Sequence, residues 1–499
     1  MSWLDSLFSV FSKPSGNHPV HLYNTMSQKK EHFIPLQNRT VKMYNCGPTV
    51  YARQHIGNLS MFVFADVLRR TLEGAKYTVK QVINFTDVGH LAGDNEGDAD
   101  SGEDRMTKGL KAAGKKITIE NMLALGERFS NVFVDDLRTL NIDTNHISFP
   151  RASAYIPGQI AMVKTLQEKG YAYVGTNGVY FDTALFADYG KLGAINIEGL
   201  KEGARIGVSK DKRHSTDFLL WKFDPKLGWE SPWGMGFPGW HIECSAMIRA
   251  ILGEQIDIHT GGIEHIPVHH NNEIAQSEAV SGKKPFVRFW MHRAHLQIES
   301  SKISRSEGNT LYLSDLVEKG FHPSAFRYLL LTAHYRTPSN FTWESLGAAQ
   351  SAYLKLRKLV QTLPHAAGAE PIQKTMEAFR ERIYDDLDTA GAIAKIWELL
   401  KEKNHNEKRI RATLLMADTV LGLGLDSVDE AADTLLKKEF GEVVSMAEVP
   451  QDMQNLLAER EAARAEKKWT EADAARKKIE DLGYEIEDTN DGPRLKRVS

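Results

Sequence analysis

Cysteine is almost absent from this chain: 499 residues hold two, Cys46 and Cys244. A disulfide framework is excluded, and a single bridge between the two would need an oxidising compartment of which the sequence gives no sign. Long apolar runs are missing as well. None approaches the ~18 residues of a membrane-spanning helix. The first eleven residues lack the basic start and the small-residue cleavage site of a signal peptide. A cytoplasmic protein with no membrane partner is the expectation. Neither sign of charge is in excess, since 62 basic and 65 acidic side chains leave a formal net charge of -3. That balance argues against coating a polyanion wholesale, yet local basic patches could still bind nucleic acid. Hydrophobic residues make up 42% of the chain, enough for the cores of roughly three or four domains.

The two cysteines stand in unusual company. One lies in Asn45-Cys46-Gly47-Pro48-Thr49 and the other closes Pro238-Gly239-Trp240-His241-Ile242-Glu243-Cys244. A third cluster, Val268-His269-His270-Asn271-Asn272-Glu273, follows shortly after. His269 and Glu273 are four positions apart, which on a helix places them on one face. Alone, a buried cysteine is often just a small hydrophobe, and a His/Glu pair is more often a solvated helix face. Two thiolates, an imidazole and a carboxylate together make a plausible four-coordinate zinc site.

Two further stretches suggest phosphate chemistry. Val41–Asn45 reads as a strand and Leu59–Leu72 as a helix, so His55-Ile56-Gly57-Asn58 lies at a strand-to-helix junction. There the helix dipole and free backbone N–H groups favour anions, Gly57 permits close approach, and His55 and Asn58 can donate to phosphate oxygens. The stretch Ser300–Asn309 carries Lys302 and Arg305 among small hydroxylated residues. Two cations three apart on a loop could close over a triphosphate, although such a loop by itself is more often merely solvated.

In this order the clusters resemble the cysteinyl-tRNA synthetase family of class I aminoacyl-tRNA synthetases. His55–Asn58 looks like the family's HIGH signature in its HIGN form, and Lys302-Ile303-Ser304-Arg305-Ser306 like its KMSKS loop. The similarity continues through residues 46–51, 237–245 and 269–277 and covers about Leu22 to Arg497. It implies an α/β fold: a Rossmann-type catalytic domain with a connective insertion, followed by a helical bundle and a small C-terminal domain. Residues 1–18 would be an extension, 19–114 the first half of the catalytic domain, and 115–215 the insertion. Residues 216–299 would return to the catalytic sheet. Residues 300–345 would hold the KMSKS-like loop and a stem-contact region, 346–445 a tRNA-binding bundle, and 446–499 an anticodon-binding domain. Within the insertion, Gly178–Asp182 suggests a hairpin.

The implied reaction is ATP-dependent activation of L-cysteine to cysteinyl-adenylate, then transfer to the 3' end of tRNA(Cys). The resemblance makes Cys46, Cys244, His269 and Glu273 the ligands of one Zn2+. It places cysteine against Cys46, Gly47, Thr86, Trp240 and His259, and ATP against His55, Gly57, Asn58, Glu264, Lys302 and Arg305, with Mg2+ accompanying the nucleotide. His55, Asn58, Lys302 and Arg305 would carry the catalysis. Three departures are local. Arg305 stands where the family usually has lysine, Val88-Gly89-His90 replaces a more acidic run, and Glu264 replaces a common aspartate. The tail contains Trp469, a basic helix over Ala474–Lys478, a strand at Tyr484–Asp488, and Arg494, Lys496 and Arg497. Two other functions stay open: a small-molecule ligase joining activated cysteine to an amino sugar, and a non-catalytic zinc and RNA-binding protein. Oligomeric state is left open, a monomer included.

Overall fold

The computed structural model describes residues 19–89, 104–193, 212–298, 301–302, 310–365, 368–402, 405–444, 446–489 and 492–497. Five strands form one parallel sheet: β1 (Thr40–Asn45), β2 (Thr78–Ile83), β3 (Ile147–Ser148), β4 (Ile256–Gly262) and β5 (Val287–Arg293). Their order is β5-β4-β1-β2-β3. All seven residues of β4 are buried, as a central parallel strand covered on both faces requires. The chain moves outward from β1 in one direction and from β4 in the other, while β1 and β4 are neighbours. Their carboxyl ends, Asn45 and Gly262, therefore flank a topological switch point, where such sheets open a crevice for ligands.

Helix α1 (Ile56–Gly74) leads from β1 to β2 and buries Leu59, Phe62, Val63 and Leu72 against the sheet. Helices α2 (Trp240–Ile251) and α3 (Asn271–Ser281) flank β4 in sequence and share the core on the zinc-cluster side. The sequence-based strand at Val41–Asn45 and helix at Leu59–Leu72 correspond to β1 and α1.

Two sheet assignments differ from expectation. Residues 218–223 do not rejoin the parallel sheet: they pair antiparallel with Gly178–Phe181 on one side and Gly236–Pro238 on the other. With Ala172–Val174 these make a separate four-stranded sheet, and the parallel sheet resumes only at Ile256. Phe218–Trp221 is buried throughout. Such a run reads as a parallel core strand or as the middle of an antiparallel one with equal ease, and the neighbouring hairpin decides. Conversely β3, only two residues long, comes from the region expected to be insertion and completes the parallel sheet beside β2.

Beyond the catalytic sheet, α4 (Pro323–Leu331) and α5 (Trp343–Thr362) begin a helical region that continues through Gln373–Tyr384, Thr389–Leu399 and Glu407–Leu421 around its own core. Arg327 of α4 ties it to α1 through Asp66, with both side chains fully buried. The tail packs helices Gln451–Ala465 and Trp469–Asp481 on a small sheet in which Gly492–Arg497 pairs with Tyr484–Thr489 and with Glu442–Val443. Val449, Met453, Leu457, Ile479 and Leu495 give it a separate core.

Candidate active site and metal centre

The switch-point crevice collects the residues singled out above. Cys46 follows β1, and its backbone N–H donates to Thr260 O of β4 at 3.0 Å, which fixes the loop to the neighbouring strand. At Gly47 a Cβ would lie 1.6 Å from Asn84 O, so only glycine lets the loop pass, and its N–H donates to Asn84 Oδ1 at 2.9 Å. Cys244 lies one turn into α2 and is buried. His269 sits in a single wide turn, Ile266–His270, that opens α3; the extra backbone length still brings its Nε2 to 3.0 Å from Glu273 Oε1.

Cys46, Cys244, His269 and Glu273 each offer one ligand atom, and these atoms all lie within 4.8 Å of one another. Tetrahedral zinc with bonds of 2.0–2.3 Å would separate its ligands by roughly 3.3–3.8 Å. Cys46 Sγ is already 3.8 Å from Glu273 Oε1. A second set, Cys46, His259, His270 and Glu273, meets the same distance condition.

Electrostatics act on both sets. The hydrogen bond with Cys46 draws the Cys244 thiol down to about 6 despite burial, whereas burial and Cys244 push Cys46 well up. Burial disfavours charge on His269, yet its hydrogen bonds with Cys244 and Glu273 hold it up at about 10. Burial would raise Glu273 too, but the imidazoles of His259 and His269 hold it down at about 2. The first set thus favours the charged forms of a thiol and a carboxyl, the donors a divalent cation binds. Burial and surrounding imidazoles drive His270 well below its usual value, towards the neutral form that can also ligate a metal.

The other predicted cysteine-contact residues converge here as well. Trp240, half-buried at the first turn of α2, places its ring 4.5 Å from that of His269. Thr86 accepts from Asn84 Nδ2 at 3.4 Å beside the Gly47 loop. His259 lies deeper than expected: it has no exposure, stacks on Trp290 and meets Glu273 Oε2 at 3.0 Å. Sequence reasoning passed over Asn84, His241, His270 and His292. His241 Nδ1 is 2.8 Å from His269 Nδ1, and His270 bridges Cys46 Sγ (3.3 Å) to His292 Nε2 (2.8 Å). The available signal was position, since Asn84 directly follows β2 and His292 is the next-to-last residue of β5.

On the nucleotide side, His55 caps α1 and its Nδ1 accepts the Asn58 N–H at 3.2 Å. An accepting Nδ1 leaves the ring proton on Nε2, so His55 faces the helix N-terminus as a donor. Asn58 is exposed and Gly57 lies between them in the first turn. Glu264 is exposed beyond β4, its Oε2 3.6 Å from His295 Nδ1. Lys302 falls in a short strand, Ser301–Lys302, paired with Gln297 and Ile298. Arg305, His90 and residues 1–18 lie outside the described residues.

Comparison with known proteins gives concordant results. Residues 32–351 match the family model described as the tRNA synthetases class I (C) catalytic domain, and residues 446–493 match the cysteinyl-tRNA ligase anticodon binding domain. Cysteine–tRNA ligase 1 of Burkholderia lata is 43% identical, with 96% of this chain and 97% of that relative covered. Cysteine–tRNA ligase of Treponema denticola is 38% identical over 94% of this chain and 98% of its own length. Among solved structures, Mycobacterium tuberculosis methionyl-tRNA synthetase bound by methionyl-adenylate superposes with a TM-score of 0.53 at 15% identity. That likeness covers 80% of this chain and 91% of the other, and it speaks to the fold alone.

Proposed function

From the premise that this chain belongs to the cysteine-specific class I aminoacyl-tRNA synthetase family, we propose that Cys46, Cys244, His269 and Glu273 hold one zinc ion that selects the substrate thiol. The enzyme is a cysteine–tRNA ligase, with amino acid, ATP and tRNA as substrates. What carries the zinc reading is the convergence of the four ligand atoms within 4.8 Å, from three separate segments: the loop after β1, helix α2, and the turn that opens α3. Serine is nearly isosteric with cysteine, and an apolar pocket would reject it weakly. Zinc is thiophilic and lowers a bound thiol's pKa, so it supplies the discrimination that shape cannot.

The protein's own groups do the rest by positioning. Trp240 covers the metal-side wall and Thr86 faces the amino acid from the β2 end, while His259 braces Glu273 from below. His55 Nε2 and Asn58 contact the ATP phosphates at the N-terminus of α1, where the helix dipole adds to their effect. Gly57 gives the phosphates access to the backbone, and Glu264 sits at the nucleotide edge of the crevice. The cysteine carboxylate attacks the α-phosphorus and pyrophosphate leaves. Lys302 and Arg305 follow the charge that develops on it, and Mg2+ enters with ATP. The terminal ribose hydroxyl of tRNA(Cys) then attacks the adenylate. Domain limits are those of the sequence reading moved so that Ile147–Ser148 falls in the parallel sheet, Phe218–Phe223 in the insertion and Glu442–Val443 in the tail, and a cytoplasmic enzyme is the setting that fits reduced zinc ligands.

The experiment is ATP–pyrophosphate exchange with cysteine and with serine, run beside metal analysis of the purified chain. One zinc per chain and exchange with cysteine alone is the expected result. A metal-free enzyme that still rejects serine would overturn the zinc assignment.

A further inference from the structure

Among the described residues six arginines are buried, and five of them have a carboxylate partner. Arg69 and Arg327 pair with Asp66, Arg357 with Asp433, Arg411 with Asp426, and Arg460 with Asp488. The sixth is Arg293, the last residue of β5, which is 5% exposed. Its Nε donates to Ser60 Oγ of α1 at 2.9 Å, and among the described residues no carboxylate pairs with it. The nearby acid, Asp386, is committed elsewhere: Tyr23 N, the Tyr335 hydroxyl and Arg336 Nε all donate to it. Burial lowers the guanidinium to about 10, so it remains a cation at neutral pH. A buried charge without a partner is costly, and proteins rarely leave one so.

Arg293 lines a crevice of about 20 Å³ between α1, α4 and the residues that follow them, with Phe64, Val67, Leu330 and Tyr335 as walls. That is room for one or two water-sized particles. The lining is apolar apart from Arg293, Tyr335 and Thr389, and Arg293 alone brings donors to spare. Its hydroxyls are already spent, Thr389 on Leu331 O and Tyr335 on Asp386. A water here would find few polar partners beside the guanidinium, whereas a monatomic anion matches its charge and needs no acceptor.

We propose that this crevice binds a monovalent inorganic anion of chloride size, which supplies the counter-charge Arg293 lacks and pins α1 to β5 and α4. The site lies behind the first turns of the helix that begins with His55–Asn58, and it stands whether or not the zinc assignment does.

Two measurements test it. Crystals of the full chain soaked in bromide should show an anomalous peak against the Arg293 guanidinium. Thermal unfolding at constant ionic strength, with chloride replacing gluconate, should show a saturable rise of the midpoint on the order of 2 °C. The rise should vanish in Arg293→Met and persist in Arg293→Lys. No bromide at Arg293, or the same chloride response in wild type and Arg293→Met, would overturn the proposal, and the bromide result does not depend on either variant folding.

Discussion

His259 Nε2 lies 3.0 Å from Glu273 Oε2, with neither side chain reaching solvent, while the second oxygen of the same carboxylate faces His269. Glu273 is thus aimed from two sides, and His259 acts on the metal cluster through it. Groups that orient a metal ligand in this way commonly contribute 10- to 100-fold in metal affinity. His259→Ala should therefore weaken zinc binding by about that factor without removing it, as read by chelator competition. An unchanged affinity would mean that Glu273 needs no brace.

Removal of a ligand should be more drastic. Cys244→Ala deletes the thiolate that the cluster stabilises best, opening the coordination shell. The variant should carry less than stoichiometric zinc and lose most cysteine-dependent pyrophosphate exchange. Discrimination against serine should fall in parallel. The second ligand set predicts otherwise: it lacks Cys244, so full zinc content in this variant with loss of zinc in His270→Ala would favour that set.

His55 caps α1, and the proposed phosphate contact would be a second, separable role. His55→Ala should cost about 1 kcal/mol as a lost cap and also slow adenylate formation. His55→Asn keeps a side-chain acceptor at the cap, so its unfolding midpoint should stay near wild type while adenylation still falls, by roughly 10²-fold. Single-turnover adenylation set beside thermal unfolding separates the two. Equal recovery of both properties in the asparagine variant would assign His55 to the helix alone.

The site was legible in the sequence because its chemistry depends on residue type. Two cysteines in the whole chain, each beside glycine, histidine or aspartate-like polar neighbours, and a His/Glu pair at helical spacing leave few alternatives. The strand β1 and helix α1 were legible for a different reason, their apolar pattern. What periodicity could not reveal was pairing. Phe218–Trp221 is buried on both faces wherever it pairs, and β3 is too short to leave a pattern. Nor could it reveal the buried polar joints, since Asp66, Arg69 and Arg70 read as an ordinary charged face of α1 until Arg327 arrives from 261 residues away.

That joint has a pH signature. Burial alone would raise Asp66, but Arg70, Arg327 and Arg69 outweigh it and hold the carboxyl well below the usual range. A folded pKa below the unfolded value, ~3.9, contributes stability that is present above that value and is lost as pH falls through it. Wild type should therefore lose stability more steeply below about pH 4 than Asp66→Asn does. At neutral pH the variant should be the weaker by about 3–5 kcal/mol, because Arg327 stays buried without its partner. Urea unfolding at both pH values reads this out, and parallel pH profiles would contradict it.

The tail allows a separation of adenylate chemistry from tRNA binding. Its core of Val449, Met453, Leu457, Ile479 and Leu495 is its own, and the strand Glu442–Val443 pairs only with Gly492–Arg497. A clean truncation should therefore end at Gly441 rather than at Met446, so that no strand is left unpaired. Cysteine-dependent pyrophosphate exchange should survive it. Charging of tRNA(Cys) should fall through weaker binding, with a shallower salt dependence as Arg494 and Arg497 are lost. Lys496 is buried at 8% exposure and should contribute less to that slope. Trp469, 60% exposed at the start of its helix, is the residue shaped to stack on an unpaired base. Trp469→Ala should raise the KM for tRNA by roughly 10-fold, in line with ~1–3 kcal/mol per stacked base, and leave exchange untouched. A truncated chain that charges tRNA(Cys) as well as the full chain would remove the tail from anticodon reading.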